Sequence, residues 1–439
     1  MKKLLESFLN VFKIPDLRKR ILFTLMIFLV YRIGGHIPSP GIDAQALRSF
    51  FAQSQGTLFG LYDLFVGGNL QRATIFALGI MPYISASIIF QLLTAVIPYL
   101  EKLQKEGEEG RRKITQYTRY ATVGLASLQA FGISLFLETL KGAQGEPVVP
   151  IPGTSFRFLT LLTLTSGTIF VMWLGEQITE KGIGNGISLI IFIGVLDIFP
   201  SYWLNTYRAL TSGVLSPILF LIVVAVMVFV TASVVLITQA QRRIPVQYAK
   251  RVIGRKIYGG QSTHLPLNMN ASGVIPIIFA QSVIMLPTTF TQYFSKFEWA
   301  ESFNAILQPG GWLYTILYAS LIVAFAYFYT AIVINPVDMA DNMKKYGGFI
   351  PGIRPGQKTS EYIDRIMTRI TLPGAIFFAF IAILPFYLLK LPGISFFFGG
   401  TALLILVGVA LDTIQQIEAH LMMRHYEGFL KKGRIRGRR

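Results

Sequence analysis

Apolar windows of about 18 or more residues, almost free of charge, recur along the whole chain and read as membrane-crossing helices. Ten can be drawn: 21–38, 73–98, 120–137, 158–175, 183–203, 214–238, 271–294, 312–334, 370–389 and 391–411. The only charged residues inside them are Arg32 and Asp197, each towards a window end. One further apolar stretch breaks the pattern. Residues 57–66 (Thr57, Leu58, Phe59, Gly60, Leu61, Tyr62, Asp63, Leu64, Phe65, Val66) are helix-like but too short, because a helix needs about 20 apolar residues to cross a bilayer. Gly67, Gly68 and Asn69 interrupt the stretch, Arg72 follows, and 73–98 then runs on as a full span. Irregular backbone at membrane depth persists only where protein buries it or where it lines a watery cavity. The short piece is therefore expected to be a pore lining, a re-entrant lid or part of a broken transporter helix. A surface amphipathic helix is the alternative.

Composition places the chain in the all-α polytopic membrane class. Apolar residues make up 53% and charged residues 14% of 439, against about 25% charged in a soluble domain. The net charge of +18 could suggest a nucleic-acid partner. Its distribution points elsewhere. With the N-terminus taken as cytoplasmic, 32 of the 40 Lys and Arg fall on inside segments, which is the positive-inside bias. Both basic ends then lie on one side only if the span count is even, as it is for ten. The first apolar stretch leads into Arg32 and a Gly/Pro-rich exit, with no small-residue cleavage site, so it is expected to remain as span 1. No cysteine is present, which excludes disulfides and thiolate metal sites.

Two inside loops, 239–270 and 335–369, are far longer than their neighbouring spans need. Loops of that length in a compact domain are usually functional or disordered. The first alternates Ile244, Val246 and Tyr248 within a basic run and predicts a twisted, protruding hairpin. The second holds GGFIPGIRPG, whose Gly and Pro fix turns around Arg354. Both are expected to be docking surfaces, although positive-inside charge alone would account for their basicity. The outward segment 209–213 has five predicted spans on either side, so the chain divides into an N-terminal half 1–208, a C-terminal half 209–418 and a basic tail 419–439. Five plus five with opposite starting sides is the arrangement of an inverted repeat, which places a pathway between the halves.

Little is available for catalysis. His420 and His425 are five apart and face different sides of a helix, and Asp338 and Asp341 read as salt-paired surface residues. No nucleophile–base pair and no midplane ionisable group stands in a span, which argues against an intramembrane hydrolase and an ion-coupled carrier. The chain reads as no enzyme, with no metal and no cofactor. Polar uncharged residues do occur within the spans, among them Ser85, Ser87, Gln91, Gln129, Gln281 and Ser282, able to bond weakly between helices. The Gly182–Gly186 segment, GIGNG, predicts a tight inside turn with close backbone approach.

The strings IFALGIMPYISASIIFQLL (75–93) and WLGEQITEKGIGNGISLII (173–191) resemble signatures of the SecY family of protein-translocation channels. RRIPVQYAKR, QSTHLPLNMNASGVIP, MADNMKKYGGFIPGIRPG and FGGTALLI extend the resemblance over most of the chain. The resemblance implies ten helices in two inverted halves around an hourglass pore, in a bacterial plasma (inner) membrane with both termini cytoplasmic. It implies a pore ring of Ile80, Ile84, Ile187, Ile191, Ile278 and Ile405. The plug helix it implies corresponds to 57–68, ending in Gly67 and Gly68. A lateral gate between spans 2–3 and 7–8 would carry Ser85, Gln129, Gln281 and Ser282. Arg255, Lys256 and Arg354 would dock a SecA motor ATPase or a ribosome. The implied partners also include SecE-type and SecG-type small membrane subunits, signal sequences and nascent polypeptides, and anionic lipids. A secondary transporter with a broken helix is the alternative function.

Overall fold

The computed structural model describes residues 14–53, 62–63, 66–142, 145–248, 251–253, 256–258, 262–270, 272–293, 303, 306–308, 310–388 and 400–432. Among the described residues, a helix runs through part or all of each of the ten apolar windows. These are α1 (Pro15–Gly34), α3 (Met81–Val96), α5 (Glu108–Thr139), α6 (Thr154–Lys181), α7 (Gly186–Thr211), α8 (Pro217–Gln239), α9 (Ile275–Tyr293), α10 (Trp312–Val333), α12 (Gln357–Leu388) and α13 (Gly400–Lys432). Shorter helices lie between them: α2 (Ala44–Gln53), α4 (Pro98–Lys105) and α11 (Pro336–Lys345). Among the described residues, seven helices are long and apolar enough to cross a membrane, and an eighth if α3 and α4 count as one bent span.

Local chemistry sets many of the helix ends. Asn185 caps α7 by accepting from Ile187 N and Ser188 N, Ser216 caps α8, and Asn335 caps α11. Each side-chain oxygen satisfies an amide left over by the first helical turn. Pro217 and Pro336 follow their caps at a position that needs no donor.

One expectation needs correcting. The window 73–98 is not one helix. Turns occupy 70–80, and the helix begins only at Met81. Ala73 (φ +52°) and Gly79 (φ +56°) take left-handed conformations that no helix tolerates, and Thr74 bridges to Pro38 beyond α1. At its other end α3 stops at Ile97–Pro98, and α4 leaves at 99°, because Pro98 has no N–H to continue the ladder. The basic residues that follow this window lie on helices. Lys102 and Lys105 lie on α4, and Arg111, Arg112, Lys113 and Arg119 lie on the first turns of α5.

The predicted hairpin is present. β1 (Gln241–Tyr248) pairs antiparallel with β4 (Ser262–Asn268), and β2 (Arg251–Ile253) pairs with β3 (Lys256–Tyr258) further out. Ile244 and Val246 are buried, while Tyr248 stays exposed. The second long loop joins the same sheet. β5 (Gly348–Phe349) lies on the free edge of β1, with Gln247 opposite Phe349 and Tyr248 opposite Gly348. Ile244, Leu267, Ile350, Ile363 and Met367 pack beneath. The two loops therefore form one platform at one end of the bundle, the loop end. The opposite end is closed by α2, whose Leu47 and Phe51 pack with Leu70, Leu78, Leu137, Val148 and Phe156.

Candidate functional site

The six isoleucines come from four helices. Ile80 and Ile84 stand at the start of α3, Ile187 and Ile191 at the start of α7, Ile278 on α9 and Ile405 on α13. Ile80, Ile84, Ile191, Ile278 and Ile405 are buried in one apolar cluster at the centre of the molecule, and Ile187 is half-buried against it. Ile80 and Ile187 approach the same point. A Cβ placed on Gly175 of α6 would lie 3.5 Å from Ile80 Cδ1 and 3.6 Å from Ile187 Cγ1. Ile190 reaches the same glycine at 3.2 Å and is an aliphatic contributor that sequence reasoning passed over. The i, i+4 spacing of Ile187 and Ile191 predicts a shared face, yet Ile191 is the more deeply buried.

Ser85, Gln129, Gln281 and Ser282 are all buried, on α3, α5 and α9. α9 packs against both α3 and α5, so the four residues lie on helices that meet. Their bonding differs from a simple set of cross-helix pairs. Ser282 Oγ donates to Ile278 O in its own helix at 2.9 Å, a back-bond that satisfies the hydroxyl locally. Gln281 stands beside the buried Tyr314 of α10, but neither makes an aligned hydrogen bond.

Of the expected plug, 57–61 and 64–65 lie outside the described residues. The remainder forms a polar knot. The Asp63 carboxylate accepts from Leu70 N at 2.9 Å and Gln71 N at 3.0 Å, and Gly68 N donates to Asp63 O at 2.8 Å. Burial pushes the Asp63 carboxyl up to about 6, against the opposing pull of those two amides and of Arg72. Tyr62 Oη donates to Leu78 O at 3.2 Å. Asn69 Nδ2 donates to Val66 O at 2.7 Å and to Tyr31 Oη at 3.2 Å. Gly67 rests on Gly194 of α7, where an added Cβ would come within 2.7 Å of the Gly194 Cα.

Three ion pairs near the site were missed by sequence reasoning. Asp197 of α7 pairs with Arg32 of α1 and accepts from Arg72 Nη1 at 2.9 Å. Arg32 and Asp197 are the two charges inside the apolar windows, and that isolation was the available signal. Arg119 Nε of α5 donates to Glu176 Oε1 of α6 at 2.7 Å, close to Tyr83 of α3.

Arg354 is exposed on the turn between β5 and α12, where its carbonyl accepts from Thr359 Oγ1 at 2.9 Å. Lys256 opens β3 opposite Ile253. Arg255 lies outside the described residues.

A family model described as SecY matches residues 74–414. The chain belongs to the SecY family. It is 50% identical over 426 residues to the protein translocase subunit SecY of Escherichia coli K12, covering 96% of both chains. It is 46% identical over 423 residues to that of Aquifex aeolicus, covering 96% of this chain and 98% of the relative. The fold also matches a structure described as that of a protein-conducting channel, at a TM-score of 0.67 and 18% identity over 95% of each chain. A second, described as a SecY whose plug domain stabilises the closed state, matches at 0.66 and 18%, again over 95% of each chain. SecY membership supports the channel reading and gives none to the solute-carrier alternative. The chain is a multi-pass membrane protein of the bacterial translocase type.

Proposed function

We propose that this SecY-family chain is the pore-forming subunit of a translocase. It conducts unfolded secretory polypeptides through a collar made of Ile80, Ile84, Ile187, Ile191, Ile278 and Ile405. The observation that supports this reading is that Ile80, Ile84, Ile191, Ile278 and Ile405 are buried in one large apolar cluster drawn from both halves of the chain, with Ile187 packed against it. A channel for arbitrary polypeptides cannot bind particular side chains. An aliphatic constriction excludes water and ions by dewetting and offers a moving chain no polar partner. Isoleucine also cannot coordinate an ion.

In this reading 57–68 is the plug. Separation of α3 and α5 from α9 and α10, past Ser85, Gln129, Gln281 and Ser282, releases hydrophobic segments sideways into lipid. Ten crossings place both termini in the cytoplasm and divide the molecule into inverted halves, 1–208 and 209–418, followed by the basic tail 419–439. The sheet platform then faces the cytosol. Lys256 and Arg354 on it, with Arg255 next to Lys256 in the sequence, suit a SecA-type motor, or the phosphates of ribosomal RNA, and basic flanks suit anionic lipids. SecE-type and SecG-type subunits complete the complex. The function is tested by reconstituting the chain with these small subunits in vesicles, adding the motor and ATP, and following import of an unfolded secretory protein. Import that fails without this chain and proceeds with it supports the reading. Solute flux from the chain alone, with no import in the complex, would refute it.

A further inference from the structure

Asp412 stands on α13 seven residues after Ile405. Seven residues are close to two helical turns, so the pair shares a face, with Asp412 about 10 Å nearer the loop end. Exposure changes along that face. Ile405 and Val409 are buried, Asp412 is exposed, and Gln416 beyond it reaches the turn ahead of α7. Ile414, half a turn round from Ile405, is an exposed apolar side chain suited to lipid. Asp412 thus lies on the collar face of α13, at the level where that face opens.

Its neighbours belong to the other collar helices. A Cβ on Gly273, just ahead of α9, would lie 3.6 Å from Asp412 Oδ2. A Cβ on Gly184, just ahead of α7, would lie 3.4 Å from Oγ1 of the adjoining Thr413. α7 and α9 begin here, with Ile187 and Ile278 in their first turns. The carboxylate therefore stands at the loop-end rim of the six isoleucines. Tyr329 of α10 is close to it and meets Phe279 of α9 edge-on, with ring centroids 6.2 Å apart. Asp197 is held by two guanidiniums. Asp412 is partly withdrawn from water, yet among the described residues no cation or hydrogen-bond donor pairs with it.

An ionisable group at the edge of a span calls for a partner. We propose that the partner comes from the polypeptide in transit: Asp412, with Tyr329 beside it, accepts the Lys and Arg side chains of a chain about to enter the collar. The inference rests on the reading of the six isoleucines as the collar. An ammonium or guanidinium forms a charge-assisted hydrogen bond with a carboxylate and is attracted to the face of an aromatic ring. At an exposed rim such a contact is weak and brief, as a site that must release every chain requires. The site distinguishes charge and not sequence, so it favours a basic stretch over an acidic one at the entrance.

A secretory chain carrying a single lysine is stalled at successive lengths in the complete complex in vesicles. A water-soluble carbodiimide then joins any ammonium in contact with a carboxylate. The expected result is an amide adduct mapped to Asp412 over one narrow range of lengths, and lost in Asp412→Asn. In a second measurement, motor-driven import is compared for two unfolded chains that differ in one block, lysines in the first and glutamates in the second. Asp412→Lys is expected to lower the lysine-to-glutamate rate ratio several-fold, and Asp412→Glu to hold it near the parent value. No adduct at 412 from a chain that photocrosslinks to position 84 overturns the site and leaves the collar standing. A ratio unmoved by Asp412→Lys in a channel that imports also overturns the site. A stalled chain that crosslinks to neither 84 nor 405 overturns the collar reading, and the site with it. The adduct is read on the parent channel, so it decides the matter even if Asp412→Lys fails to assemble.

Discussion

The backbone N–H of Gly184 donates to Oε1 of Gln416 at 3.0 Å, joining the turn ahead of α7 to α13, the last helix of the chain. The same turn is held from the other side by α1, where Thr24 Oγ1 accepts from Ile183 N at 3.2 Å and Arg20 Nη1 donates to Gly182 O at 3.1 Å. The glycine-rich turn is thus a junction of four helices at the loop end. A Cβ on Gly186 would fall 1.9 Å from the carbonyl oxygen of Gly175 on α6. Gly186→Ala is expected to destabilise by about 1–3 kcal/mol, because backbone must shift to admit the methyl group. Gln416→Ala loses one part-exposed bond, at the low end of about 0.5–1.5 kcal/mol. Thermal melting of the purified complex in detergent separates the two, and equal shifts would contradict the junction.

The collar makes a second prediction. Replacing Ile84 and Ile191 together with Ser puts hydroxyls where water is excluded, and an apolar gate works by dewetting. Single-channel recordings in planar bilayers are expected to show a raised resting conductance. The same exchange at the lipid-exposed Leu221 and Phe229 of α8 is expected to leave it unchanged.

Asp63 gives its contacts with Gly68, Leu70 and Gln71 a pH dependence of definite sign. Burial moves its carboxyl from the usual 3.8 to about 6, so the folded segment binds the proton more tightly than the unfolded one. The stabilisation this confers is complete below the unfolded value and is lost as pH rises through the folded value. Hydrogen exchange at the amides of Gly68, Leu70 and Gln71, corrected for intrinsic rates, is expected to show more protection at pH 5 than at pH 8. Asp63→Asn is expected to flatten that difference. Greater protection at pH 8 would show that the carboxylate form is the one the fold prefers.

Arg354→Glu reverses an exposed charge on a turn fixed between β5 and α12. Motor-driven import is expected to fall several-fold, with insertion of the channel unaffected. Lys296→Glu, on the opposite side in the ten-span topology, is expected to change little. Equal effects would remove Arg354 from the docking surface.

Much of this was legible in the sequence, and the failures have identifiable causes. Hydropathy located every long helix, because about 20 apolar residues have no other way to cross lipid. It misread 73–80, since apolar residues in a buried turn look like apolar residues in a helix. The left-handed backbone at Ala73 and Gly79 is what separates them. Alternation of Ile244 and Val246 announced a hairpin, but nothing local told that Phe349 and Gly348 would join its edge. The residues of the proposed collar came from motif resemblance, and their burial together in one apolar cluster agrees with their isoleucine character. The pairing of Arg32 with Asp197 spans most of the first half of the chain and needed the fold to be seen. Two lone charges in otherwise uncharged windows were its trace.

The central claim is that the six isoleucines surround the passing polypeptide. Photocrosslinking tests it most directly. A photoreactive residue is placed at Ile84 or Ile405, or at Leu221 on the lipid-exposed face of α8, and a secretory chain is stalled in transit. The account predicts strong adducts to the stalled chain from positions 84 and 405 and none from 221. Adducts confined to 221, or absent from 84 and 405 while the chain is demonstrably in transit, would contradict it.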